Sequence, residues 1–430
     1  MPKYEIKCKS GFRSGDFQCP ENFEGELPVK SYASFASFAS FSILMHLKHN
    51  YCNSGGPSGE KCCAYCCCQP LKPEDHFDIY QDGYEADYPK MIAKIKSCPI
   101  SINKTHFHFD LWGGEPFFNF KALKELTSVL RKEWPDCSLT VSTNGLLLGS
   151  DVITDWIIDN KVSIQLSHDG LGQWIRTGKI NPLENANCLR GLKRVNDAGL
   201  FTAVNCTLTK YNYSWFKNIK YFNEKLKAAG IDKLRSIKLN HIYDSDYDIK
   251  ALNVDGKWQD TTREDLINQP IGNLAIEDEI ADEYFNEFFT LACYYRDKSI
   301  KKDYWMNLYK DYIIEQSKRW RELKHSGDVE LESSGICRAY QSYKYNLENN
   351  FKSDYTFVIT TLGEYSECNL TESVDRPGNP EREECKSCKY RWQAECRQCG
   401  SMATPVKCNN RKKWLQTLEK IHNMDTLKQV

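Results

Sequence analysis

Residues 105–116 read THFHFDLWGGEP. Phe107, Phe109 and Leu111 alternate with His106, His108 and Asp110, the period of a strand with one face turned to a core. His108 and Asp110 share the opposite face with Trp112, and histidines at such positions are more often satisfied interior groups than catalytic ones. The run stops at Gly113-Gly114, where the missing side chains let the backbone come close to a ligand. Glu115 can accept a hydrogen bond from an ammonium group. A lone G-G-E is a weak signal, and an ordinary Gly-Gly-Pro turn is the plain alternative. A strand end is a better setting for a ligand.

The strand is one of six. SILMHLK (42–48), THFHFDLW (105–112), SLTVST (138–143), VSIQLS (162–167), FTAVNCTLT (201–209) and RSIKLNHIY (235–243) read as strands. Between them YPKMIAKIKS, FKALKELTSVLRKEW, DWIIDN, NCLRGLKRVNDAG and WFKNIKYFNEKLKAAG read as helices. Such alternation predicts an α/β fold with a parallel sheet or an open barrel. Ligands in these folds gather at the C-terminal ends of the strands. The segments NYCN, GGEP, STNG and SHDG fall there.

Four segments are expected. Residues 1–42 form a prefix, in which Tyr32, Phe35, Phe38 and Phe41 recur every third position and suit a short helix packed on the main domain or, alternatively, a dock for a substrate peptide. Residues 43–245 form the core barrel. Residues 246–334 are a linker and helical insert, with Ile280, Tyr284, Phe288 and Leu291 at helical spacing. Residues 335–430 form a cysteine-rich domain.

Composition excludes several classes. The 430 residues carry a formal net charge of −1, so no global positive field points to a nucleic acid. No apolar run is long enough to span a bilayer, and the first residues lack a signal-peptide core, which predicts a cytoplasmic protein. Its 20 cysteines are then expected in a reducing compartment, where clusters bind metal or do redox chemistry. Six lie between 52 and 68, and seven between 337 and 408. Cys8, Cys19, Cys98, Cys137, Cys188, Cys206 and Cys293 are scattered and read as inert buried thiols.

Within the first cluster only Cys63 and Cys66 form a C-x2-C pair, and Cys52 sits at the end of the first strand. The sequence HLKHNYCN…CAYC followed by LWGGEP resembles the radical S-adenosylmethionine (AdoMet) enzymes, whose signature is C-x3-C-x2-C after the first strand. Here ten residues separate Cys52 from Cys63, and Gly59 stands where the first cysteine would fall. NSGGPSGEKC then reads as an insertion, and a longer loop costs only about 0.6 kcal/mol per doubling.

The resemblance implies that Cys52, Cys63 and Cys66 hold a 4Fe–4S cluster with one iron left open for AdoMet. Cys62, Cys67 and Cys68 would be bystanders or alternates. It also implies AdoMet contacts from Tyr65, Gly113, Gly114, Glu115, Ser142, Asn144, Ser167 and Asp169. Arg176 would either clamp the AdoMet carboxylate or be a surface arginine. The simpler alternative for the cysteines is a structural zinc knuckle.

Toward the C-terminus, Cys337, Cys368, Cys385, Cys388, Cys396, Cys399 and Cys408 include two C-x2-C pairs. On their own these read as zinc ribbons. After a partial (β/α)6 TIM-type barrel they resemble a SPASM domain, which holds two auxiliary 4Fe–4S clusters. The order and the G-x4-C element match, although the spacings x7 and x2 replace the usual x5 and x3. By position, Cys337, Cys368 and Cys399 would hold one cluster, with an open site for a substrate thiolate or amide. Cys385, Cys388, Cys396 and Cys408 would hold the other.

The resemblance predicts a radical AdoMet oxidoreductase that modifies a peptide or protein side chain, with a reductant such as flavodoxin or ferredoxin. A small-molecule or nucleoside substrate is the alternative, and a zinc-binding adaptor without activity the remote one. No residue of the sequence identifies itself as the group that handles the proton.

Overall fold

The computed structural model describes residues 38–45, 86–98, 101, 106–177, 180–241, 276, 278–297, 299–326, 357–361, 365–366 and 408–427. Six parallel strands run in chain order: β1 (Phe38–Leu44), β2 (His106–Trp112), β3 (Ser138–Thr143), β4 (Ser163–Ser167), β5 (Phe201–Leu208) and β6 (Ser236–His241). Between them lie α1 (Tyr88–Ser97), α2 (Phe120–Glu133), α3 (Asp151–Asp159), the short α4 (Gln173–Thr177), α5 (Ala186–Asp197) and α6 (Trp215–Ala228). A doubly wound sheet reverses its strand order midway. This one does not, so right-handed crossovers set all its helices on one face and the sheet curls into a partial (β/α)6 barrel.

The first strand corrects the sequence reading. Phe38 and Phe41 lie in a strand, and that strand starts four residues before the expected 42. Ala39, Phe41 and Ile43 are buried while Ser40 and Ser42 between them are not, so a period of two prevails over the period of three in the aromatics. The sheet also crosses two of the expected segment boundaries. It begins inside the stretch set apart as a prefix, and β7 (Phe357–Thr360), from the C-terminal segment, pairs in parallel with β1 and carries β8 (Tyr365–Ser366).

The outer face of the sheet is apolar. Phe107, Phe109, Leu111, Leu139, Val141, Ile164 and Leu166 are buried there, with Phe41 and Phe107 stacked on Phe109 and Trp134 tilted against it. Beyond β6, α7 (Asp278–Arg296), α8 (Tyr304–Ser326) and α9 (Cys408–Leu427) pack on one another and on the barrel. Trp215 of α6 meets Tyr284 and Phe288 of α7 and Tyr312 of α8. Tyr309 donates to Ile219 O at 3.3 Å and pairs with Asn223 Oδ1 at 3.0 Å. Among the described residues no helix is long and apolar enough to cross a membrane.

Candidate functional site

The inner face of the barrel is polar. Ser40 and Ser42 of β1 stand in register with His108 and Asp110 of β2, Ser142 of β3 with Gln165 of β4, and Ser167 of β4 with Asn205 of β5. Lys238 of β6 lies beside Asn205 and is exposed. A closed eight-stranded barrel fills this space with layers of Val, Ile and Leu. Here serine, amide and charged side chains line it, the mark of a cavity that takes a ligand. Two buried polar atoms on this face, Trp112 Nε1 and Asn205 Oδ1, have no hydrogen-bond partner among the described residues. One is a donor and the other an acceptor, so a ligand bearing both kinds of group would satisfy them.

At the C-terminal end of β2, Gly113 and Gly114 have φ of 124° and 51°, backbone that only glycine adopts without strain. Glu115 follows, 1% exposed, and its carboxylate turns toward β3. Thr143 Oγ1 donates to Oε1 at 2.8 Å, Asn144 N–H to Oε2 at 2.7 Å, and Phe117 N–H to Oε1 at 3.2 Å. The last of these caps the short 3-10 turn Pro116–Asn119. Burial pushes the Glu115 carboxyl up to about 7, against the lowering effect of these three donors and of Arg176. Asn144 is 5% exposed and closes its own turn by accepting from Leu146 N–H at 2.9 Å. Glu115 and Asn144 thus join the ends of β2 and β3, next to the half-buried Ser142 on the inner face.

The turn after β4 is built in the same way. Asp169 is 1% exposed and takes both Nε and Nη2 of Arg176 at 3.2 Å, with Thr207 N–H at 2.9 Å. A bidentate pair this deeply buried fixes geometry more than it adds stability. His168 is fully buried. Its Nδ1 accepts from Gly170 N–H at 2.9 Å, so Nε2 carries the proton shared with Asn181 Oδ1 at 2.8 Å. Burial pushes its pKa down to about 4 and keeps the ring neutral. Ser167, at the end of β4 and in register with Asn205, is half-buried.

On β2, His108 contacts Ser138 Oγ at 2.7 Å through Nδ1 and Asp110 Oδ1 at 3.1 Å through Nε2. Both of its ring nitrogens are partnered, and the ring is half-buried. Cys98, Cys137, Cys188 and Cys206 are buried, and burial raises the thiol pKa of the last three. They are inert.

The cluster cysteines Cys52, Cys63 and Cys66, with Tyr65, lie outside the described residues, as do Cys337, Cys368, Cys385, Cys388, Cys396 and Cys399. Cys408 opens α9. Among the described residues no group of three His, Cys, Asp or Glu side chains is placed to hold a metal. Gln165, Asn205 and Lys238 on the inner face were not singled out from the sequence, although the alternation in SIQLS, VNCTL and IKLN contains them.

The sequence matches no family profile and no curated protein. Solved structures do match. The native protein described as "anSMEcpe with bound AdoMet" is 14% identical with a TM-score of 0.51, over 89% of this chain and 99% of its own. The same protein with AdoMet and Kp18Cys peptide is 14% identical with a TM-score of 0.51, over 89% of this chain and 98% of its own. A looser likeness is Streptococcus suis SuiB bound to S-adenosylmethionine, 14% identical with a TM-score of 0.42, over 88% of this chain and 76% of its own. At such identity the likeness to anSMEcpe establishes the fold alone, a partial (β/α)6 barrel.

Proposed function

We propose that this chain is a radical AdoMet oxidoreductase that acts on a side chain of a peptide or protein. The observation that most supports this reading is the polar inner face ending at the GGEP turn. It lies in a fold shared with anSMEcpe, which has been solved with AdoMet and a peptide together. The unpartnered Trp112 Nε1 and Asn205 Oδ1 fit a ligand such as AdoMet, which brings amino-acid, ribose and adenine groups of both hydrogen-bonding kinds.

Cys52, Cys63 and Cys66 would hold a 4Fe–4S cluster, thiolates being the donors such clusters take. The seven C-terminal cysteines would hold two auxiliary clusters. When bound, these groups supply one-electron cleavage of AdoMet, hydrogen abstraction by the resulting 5′-deoxyadenosyl radical, and an acceptor for the second electron.

The protein's own residues do the positioning. Gly113 and Gly114 bring backbone to the ligand, while Ser142 and Ser167 offer hydroxyls to it. Glu115, Asn144, Asp169 and Arg176 hold the turns that carry those groups. A small electron carrier such as flavodoxin or ferredoxin would supply the first electron, in the reducing conditions of the cytoplasm.

Anaerobic reconstitution tests the reading. The protein should bind about twelve irons per chain, and AdoMet should perturb the electron paramagnetic resonance signal of the reduced protein. Colourless protein that carries zinc and ignores AdoMet would replace this reading with the adaptor.

A further inference from the structure

Glu287 lies on α7, in the helical segment that the family resemblance leaves unexplained. It is fully buried, on the side of α7 that meets the start of α6. Both carboxylate oxygens lie 3.0 Å from Ser214 Oγ, and Oε2 accepts from Phe216 N–H at 3.2 Å. Ser214 is the N-cap of α6, so an acidic group from another helix completes that helix's N-terminus. Burial raises the carboxyl to about 7, opposed by the hydrogen bonds from Phe216 and Ser214.

Among the described residues the other ionisable groups nearby are few. Glu283 comes from α7 itself and accepts from Tyr213 Oη at 2.8 Å, and Tyr213 belongs to the loop before α6. Tyr312 of α8 lies across Trp215, and Lys413 of α9 is paired with the exposed Asp282. No described lysine or arginine forms an ion pair with Glu287.

The start of α6 is continuous with the turn after β4. Asn218 Nδ2 donates to Asn212 O and Ser214 O at 2.7 Å, and its Oδ1 accepts from Leu171 N–H at 3.2 Å. Asn212 Nδ2 donates to Asp169 O at 2.7 Å and Thr207 O at 3.0 Å. Gly170 has φ of 57°, and a Cβ there would collide with Asn218 Oδ1. The β4 turn and the first turn of α6 are therefore one hydrogen-bonded body, and Glu287 holds its far side.

We infer that Glu287 is a positioning residue for the β4 turn. It acts from α7 through Ser214, Asn212 and Asn218 on the placement of Asp169 and Arg176, and hence on AdoMet affinity. The inference rests on the AdoMet reading above. A mere cap of α6 would hold α6 and leave the β4 turn indifferent.

The test uses the full chain, anaerobically reconstituted, as wild type, Glu287→Gln and Glu287→Ala. Amide hydrogen exchange is followed in residues 167–177 and 209–218, and AdoMet affinity is measured at about pH 6 and about pH 8.5, either side of the Glu287 pKa. Glu287→Ala should speed exchange in both segments. The ratio of wild-type to Glu287→Gln affinity should change about threefold or more between the two pH values. Glu115 titrates in both proteins and cancels in that ratio. Faster exchange confined to 209–218, or a ratio that does not move with pH, overturns the inference. Should Glu287→Ala fail to fold, the isosteric Glu287→Gln still decides it. If wild type does not bind AdoMet at either pH, the site reading fails and the affinity claim with it, while exchange still reports on the mechanical link.

Discussion

Replacing Glu115 with Gln keeps the shape of the side chain and removes its ability to ionise. In the wild type burial raises this carboxyl from 4.5 to about 7. A group whose pKa is raised by folding contributes stability in its neutral form. That contribution is complete below about pH 4.5 and is lost as the pH rises through about 7. A shift of this size corresponds to about 3 kcal/mol, and the group is fully buried, so solvent does not screen it. Glu115→Gln suffers no such loss. Whatever the offset from its amide facing a donor, the difference in melting temperature between variant and wild type should move in favour of Gln. Between about pH 5 and about pH 8 the movement should be about 3 °C, at about 2.1 cal/mol/K per residue over 430 residues. Scanning calorimetry of the anaerobic protein at stepped pH reads it. A difference that stays constant, or drifts toward the wild type, would refute the reasoning. It would mean that the donors Thr143, Asn144 and Phe117 outweigh burial and hold an anion.

Three further outcomes are expected. Gly113→Ala, at φ of 124°, should cost about 1–3 kcal/mol and weaken AdoMet binding while iron content stays near wild type, as titration calorimetry and iron analysis would read. Asp169→Asn replaces a carboxylate that takes two Arg176 donors and Thr207 N–H with a group able to accept fewer, and should cost about 2–4 kcal/mol in denaturant unfolding. Phe109→Ala should destabilise by about 3–5 kcal/mol by emptying the outer face of the sheet, an effect that no ligand reverses.

What the sequence disclosed depended on how local each signal was. The Phe107-Phe109-Leu111 alternation and the Pro at the start of YPKMIAKIKS carry their own geometry, and β2 and α1 lie where those patterns put them. β1 was displaced because the aromatics at 32, 35, 38 and 41 hid the Ser40/Ser42 alternation beneath them. The GGEP turn was legible as a tight turn at a strand end, but the partners of its glutamate were not. Thr143 lies 28 residues away and reaches Glu115 only once β2 and β3 pair. Asn212 and Asn218 gave no local sign, since their contacts to Asp169 and Leu171 span 43 and 47 residues. Arg176 reads from the sequence as either an AdoMet clamp or a surface arginine; it is not on the surface, and its fork lies on the buried Asp169 seven residues away.

The measurement that bears most directly on the account is reductive cleavage of AdoMet by the oxygen-protected, iron-loaded protein, read as 5′-deoxyadenosine by chromatography. The account predicts that dithionite yields this product, that Cys52→Ala, Cys63→Ala and Cys66→Ala each abolish it, and that Cys67→Ala leaves it. No 5′-deoxyadenosine from fully iron-loaded wild type, or cleavage that survives loss of Cys63, would contradict it.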